Sequence, residues 1–325
     1  MSRISRWMPA TGLLVAGLAF APVNPGDGYR IVARLSSIMD GHPLDVVRFD
    51  PTSHRLFAGN SIGLYSADLS VAAPKMTGPL TDGATIIRAI DVAPDLGRVF
   101  YGGIDDIGYV DEKGGKAVRM SDNAASAVAY EPTRHEVYTA FERSSEIQVF
   151  DAQTGRRQTV IKLPGWNATG LQAIPGTVFL FVGGKDGIYA IDAATHTIAP
   201  WRVNGSLVTP GNLEVDPSGH YLFLARSREI DSIDIATRTV TGRVPMFGTA
   251  SIGFDPSSGL LVAAWPDLSE KGDKLAVLRP GLDGLATVAT LPNNAGGTQI
   301  VRTNYGFIQR AYHEFLVWST PTTER

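Results

Sequence analysis

The chain contains no cysteine, which removes disulfides, thiolate metal sites, cysteine nucleophiles and the lipid-modified cysteine of a lipoprotein. Its 325 residues must therefore be held by an apolar core, and a chain of this length can build one. Charge is sparse: 19% of residues are charged and the formal net charge is -3, so no global field recruits nucleic acid or an anionic membrane. Basic residues form no stripe with interleaved aromatics, and nucleic acid is not an expected partner. The apolar run Gly12 to Ala21 is ten residues, short of the about 20 that cross a bilayer, so no transmembrane segment is expected in the mature chain. Gly-x-Ser-x-Gly, His-Glu-x-x-His, Walker and dinucleotide fingerprints are absent too.

Arg3 and Arg6 ahead of that run have the layout of a secretory signal peptide over residues 1–21, cleaved after Ala19 or Ala21. Residues 22–28, with Gly26-Asp27-Gly28, read as a linker, and a periplasmic or secreted location follows.

Hydrophobic residues make up 44% of the chain, and 35 glycines with 20 prolines signal many turns. Between Val128 and Pro164 four short strand-like runs alternate with turn signals: Val128–Tyr130, Glu136–Phe141, Ile147–Phe150 and Thr159–Leu163. The unit recurs. An apolar strand ends in an acidic or small residue and a proline, at Pro51, Pro94, Pro132, Pro175, Pro217 and Pro256, and a second apolar strand follows. The spacings are 43, 38, 43, 42 and 39 residues, and a seventh copy at Ile300–Asn304 lacks the proline. A four-stranded unit repeating near every 40 residues is the mark of a propeller blade.

The expectation is one all-β domain over 29–319, a seven-bladed β-propeller of four-stranded antiparallel blades, with 320–325 as a tail. The last copy stops at its third strand, Phe315–Trp318, so residues 29–35 are expected to supply the missing outer strand and close the ring. The alternative is an unpaired N-terminal arm.

The repeat of apolar strand, Asp/Glu-Pro, Leu/Tyr-Phe/Tyr-x-Ala, Ile-x-Val-x-Asp, Thr-Gly and Ile-x-Leu-Pro resembles the YVTN-type (YncE-like) β-propeller repeat of exported bacterial proteins. The likeness covers nearly the whole mature chain, although the Tyr-Val-Thr-Asn tetrapeptide itself is replaced, for example by Phe57-Ala58-Gly59-Asn60. It implies the fold, and a binding or scaffold role as readily as an enzymatic one.

In a propeller, the loops leading into the innermost strands and those joining second to third strands gather at one face, the default binding site. That mouth would present His42, Asp45, Arg88, Trp166, Asn167 and Asn212, with Trp265, Arg310 and His313 from the joining loops. Asn60, Asp105, Asp106, Asn123 and Arg226 fall at the same face. The longest irregular loop, Trp265–Asp273, is the expected partner contact.

His54, His135, His196 and His220 fall in surface turns. His42 and His313 could hold a divalent metal with Asp45 or Glu314, but two solvated loop histidines are the stronger expectation. Arg48, Asp91, Gln172, Glu214 and Arg302 share the position three residues before the anchor and form a polar ring in the channel. A structural network is favoured there over a catalytic one.

The favoured function is a monomeric binding or scaffold protein that recognises a protein partner or a small polar ligand at the channel mouth, with no cofactor. The alternative is a divalent-cation-dependent hydrolase or lactonase. Gluconolactonase-type propellers hold a cation through Glu, Asn and Asp on inner strands, and Glu214, Asn167, Asn212 and Asp91 are the residues that could do so here, although the surrounding pattern differs.

Overall fold

An acid stands before four of the six anchor prolines, and it explains how those blades make their first turn. Asp50 accepts the backbone N–H of Thr52 and Ser53 at 2.8 and 3.1 Å, Glu131 those of Thr133 and Arg134 at 2.8 and 2.9 Å, and Asp216 that of Tyr221 at 2.6 Å. Each carboxylate is buried, and each fixes the tight turn that reverses the chain into the second strand. The turn needs a left-handed residue, which is His54 or His135 in two copies (φ 55° and 54°) and Gly97 or Gly259 in others. A parallel device closes the third strand: Asp151, Asp192 and Asp234 accept N–H bonds from the residues just after them.

A computed structural model describes residues 29–319 apart from 82–84, 142, 166–169, 178, 185–186, 208–211, 247–250, 256–257, 268–271, 282–283, 292–298, 304–305 and 312. The repeats form seven antiparallel blades whose innermost strands start at Val46, Ile87, Ala127, Gly170, Asn212, Ser251 and Gln299. Each innermost strand neighbours the next, and the seventh returns to the first, so the chain is a seven-bladed β-propeller. Six blades have four strands; in blade 1 the outer position is a single bridge, with Thr77 and Ser66 exchanging backbone bonds of 2.8 and 2.9 Å.

The closure expected from the strand count is present. Arg30–Ser36 pairs antiparallel with Glu314–Ser319 as the outer strand of blade 7, with a bulge between Ile31 and Ala33.

The apolar interior is divided into seven clusters, one in each seam between adjacent blades. Period-two alternation sends successive residues of a strand into opposite seams: Val137 and Phe150 of blade 3 pack on blade 2, Tyr138 and Val149 on blade 4. The second strand carries a fully buried aromatic in most blades, Phe57, Phe100, Tyr138, Phe181, Phe223 and Phe307, and burying each contributes about 2–3 kcal/mol.

Two small hairpins lie outside the blades, Ile38–Met39 with His42–Pro43 and Arg202–Val203 with Ser206–Leu207. Both turn on a two-residue loop of positive φ, Asp40-Gly41 and Asn204-Gly205. The first is fastened to blade 1 by the Tyr65 hydroxyl, which donates to Asp40 at 2.5 Å, and by the Asn60 amide, which donates to the carbonyls of Met39 and His42.

Candidate functional site

The polar ring of the channel is built into the seams. Asp91 accepts the backbone N–H of Tyr130 from the next blade at 2.8 Å, and Glu214 accepts that of Phe254 from blade 6 at 3.3 Å. Arg48 reaches Asp91 at 3.8 Å across the seam between blades 1 and 2. These side chains tie neighbouring innermost strands together, where the missing ladder bonds between blades would otherwise leave N–H groups unpaired. Gln172 is half-buried on the innermost strand of blade 4, and the side chain of Arg302 lies outside the described residues.

The histidine corner does not converge. His42 bonds Ser61 Oγ at 2.9 Å, and Asp45 accepts from Arg310 Nη2 at 2.8 Å. Glu314 accepts from Arg34 at 2.5 Å, and the His313 carbonyl accepts the N–H of Ser37. Among the described residues no three His, Asp or Glu side chains assemble as a metal site. Arg88 is the exposed residue of a bulge between Ile87 and Ala89, and Asn212 is exposed at the start of its strand. Trp166 and Asn167 lie outside the described residues.

The loop expected over Trp265–Asp273 is corrected. The strands of that hairpin run on to Asp267 and resume at Gly272, with Trp265 opposite Lys274, so only 268–271 are left between them. Trp265 packs against the apolar cluster between blades 5 and 6. Pro266 and the charged neighbours resemble a loop in composition, but pairing with a facing strand overrode that local signal. Arg226, another mouth residue, is held by Glu229 at 2.6 Å and by buried Asp231, which Arg243 also contacts at 3.1 Å.

One cleft of the mouth lies at blade 2. In the seam between blades 1 and 2 a cleft of about 380 Å³ opens, lined by Thr85, Ile86, Tyr101, Asp105, Asp106, Lys116, Ala117 and Arg119. Tyr101 belongs to the apolar cluster shared with blade 1, and its hydroxyl lies 3.4 Å from Asp106. Burial pushes the Asp106 carboxyl above its usual value, against the pull of Arg119. Arg119 donates to the Asp105 carbonyl at 2.7 Å and pairs with Asp122 at 2.9 Å, while Ile86 and Ile104 are exposed beside the cleft. Asp105 and Asp106 were legible as joining-loop residues. Lys116 and Arg119 were not, because they come from the outer-strand side and only the pairing of that strand with the third, Arg119 opposite Gly108, brings them beside the joining loop.

Gly108 keeps this cleft open. A Cβ there would meet the Tyr101 hydroxyl at 2.5 Å and the Val118 carbonyl at 2.6 Å, so Gly108→Ala is expected to displace Tyr101 and cost about 1–3 kcal/mol. Urea denaturation of the variant checks this, and an unchanged midpoint would count against the close packing.

On the opposite face of the same seam, Glu112 and Asp50 are buried, at 6% and 0% exposure, and Glu112 Oε1 has no hydrogen-bond partner. Burial, then the charge and the hydrogen bond of Asp50, push the Glu112 carboxyl up to about 7 from the ordinary 4.5. Between those two values the native state holds a proton that the unfolded chain has lost, so stability falls as pH rises through this window and is level above it. Glu112→Gln mimics the protonated form. It is expected to stabilise the protein by roughly 3 kcal/mol above pH 7, with the gain vanishing toward pH 4.5. Thermal melts of both proteins across this range would show a constant difference if the pair were not coupled to pH.

No protein-family model matches the chain, and no curated protein matches it.

Proposed function

We propose that this propeller is a binding module that takes a short peptide segment of a partner protein into the cleft between blades 1 and 2. The observation that carries the reading is the composition of that cleft: opposed charges from Asp105, Asp106, Lys116 and Arg119 beside exposed Ile86. Such a lining suits a chain with both polar backbone groups and an apolar side chain. The engagement of Asp91 and Glu214 with backbone N–H groups supports a structural role for the channel ring, in preference to a lactonase site. Export belongs to the same reading, supported by Arg3 and Arg6 ahead of the apolar run, as does membership of the YVTN-type propellers, supported by the repeat pattern.

Peptides selected from a displayed random library against the mature protein are expected to lose about ten-fold in affinity with Arg119→Ala or Asp106→Asn. Peptides that bind both variants as tightly as the parent would remove the cleft from the proposal. In parallel, EDTA is expected to leave the melting temperature unchanged. A lowered midpoint with stoichiometric divalent metal would turn the assignment to the hydrolase.

A further inference from the structure

A second cleft at the mouth has different chemistry. In blade 3 Thr139 pairs with Gln148, so both project from the face whose Val137 and Phe150 pack on blade 2. Past those apolar residues the seam between blades 2 and 3 opens into a cavity of about 180 Å³, to which Asn123, Phe141, Ser144 and Glu146 also contribute.

Gln148 is out of keeping with its strand. Its neighbours Ile147, Val149 and Phe150 are fully buried apolar residues, and its own Oε1 is buried without a hydrogen-bond partner. Leaving such an acceptor unpaired costs roughly 1–3 kcal/mol, a cost that is relieved if the amide turns from its buried position toward a donor bound in the cavity it lines. The other groups define what that donor belongs to. Ser144 Oγ accepts the N–H of Glu146 at 3.0 Å and keeps its own proton to donate. The amide of Asn123 is exposed on the loop into blade 3 and can give and accept. Glu146 takes a bond from Lys162, which holds its carboxyl below the usual range and answers its charge. Half-buried Phe141 adds an aromatic side chain to the lining.

We infer that this cleft binds one ring of a neutral sugar, with hydroxyls on Gln148, Asn123 and Glu146 and the C–H face of the ring on Phe141. The volume is that of roughly six waters, enough for a single ring. Paired Glu146 leaves no uncompensated charge to demand an ionic ligand. The site stands apart from the cleft between blades 1 and 2 and does not depend on it.

The test is titration calorimetry of the mature protein with glucose, galactose, mannose and N-acetylglucosamine, followed by a glycan array. At least one sugar is expected to bind saturably, and Gln148→Leu and Phe141→Ala are each expected to weaken it about ten-fold or more. Because Gln148→Leu removes an unpaired acceptor, its melting temperature should be equal or higher, which separates lost binding from lost folding. If that variant fails to fold, Asn123→Ala on the exposed loop gives the same readout. No saturable binding to any sugar overturns the inference. So does binding that survives both Gln148→Leu and Phe141→Ala, or binding that is lost only with Asp106→Asn, which would place the sugar in the other cleft.

Discussion

Removing residues 29–36 is expected to abolish cooperative folding of the ring. Arg30–Ser36 supplies the whole outer strand of blade 7, with Ser36 opposite Glu314 and Arg30 opposite Ser319. Leu35, 4% exposed, belongs to the cluster between blades 7 and 1, and Tyr29 to the one between blades 6 and 7. The Tyr29 ring lies 5.5 Å from Phe307, and its hydroxyl donates to buried Asp255 at 3.0 Å, across the seam to blade 6. The strand thus joins the two ends of the chain and touches three consecutive blades. Two buried side chains at about 2 kcal/mol each, with the buried hydrogen bond and the ladder, sum to 5 kcal/mol or more, as large as the entire stability of many domains. The loss also uncovers Glu314–Ser319 as an unpaired apolar edge, a template for association. Urea titration and size-exclusion chromatography of a chain beginning at Ser37 measure both consequences. A monomer with an unchanged midpoint would mean that the ring closes without this strand. Leu35→Asp is a milder test of the same contact and should cost about 2–4 kcal/mol.

Glu136→Ala is expected to cost about 3–5 kcal/mol, the range for removing one member of a buried charge pair. Glu136 opens the second strand of blade 3 and is 1% exposed. It accepts the Tyr138 hydroxyl at 2.6 Å, meets His196 Nε2 at 3.1 Å and Arg134 Nε at 3.4 Å. His196 comes from the turn between the third and outer strands of blade 4, so this one carboxylate links two blades. Alanine would leave the Tyr138 hydroxyl buried without its acceptor, and the cationic Arg134 without its partner. The contrast with His196→Gly is informative. His196 sits at φ 52°, where the repeat elsewhere has Gly155, so glycine relieves the backbone while losing the pair. It should cost about 1 kcal/mol or less. Chemical denaturation of both variants decides the matter: equal costs would show that the turn, and not the carboxylate, holds this seam.

Local structure was legible in the sequence. The acid before four of the six anchor prolines and the Asp-x-x-Thr turns are nearest-neighbour features, and Asp50, Glu131 and Asp151 each reappear as the cap of their own turn. The four turn histidines were placed by the same logic, and two of them occupy left-handed positions in the first turn of their blade. The hairpins at Asp40-Gly41 and Asn204-Gly205 follow the same turn chemistry, since both dipeptides favour the positive φ that a two-residue hairpin loop needs.

The clefts are another matter. A strand of period two sends its side chains into two seams, and which seam receives a given residue depends on register and on the rotation of one blade against the next. That is how Gln148 of the third strand comes to share a cavity with Asn123 of an approach loop, and Lys116 to share one with Thr85. A polar residue in an apolar alternation, Ile147-Gln148-Val149-Phe150, was the one visible hint. By itself the sequence determined the blade count, the turns and the closing strand, since hydrophobic alternation and turn residues act over a few residues. Only the tertiary structure decided which polar side chains share a cleft, since strand register and the path of the approach loop bring together residues far apart in the chain, and neither is written in a few neighbouring residues.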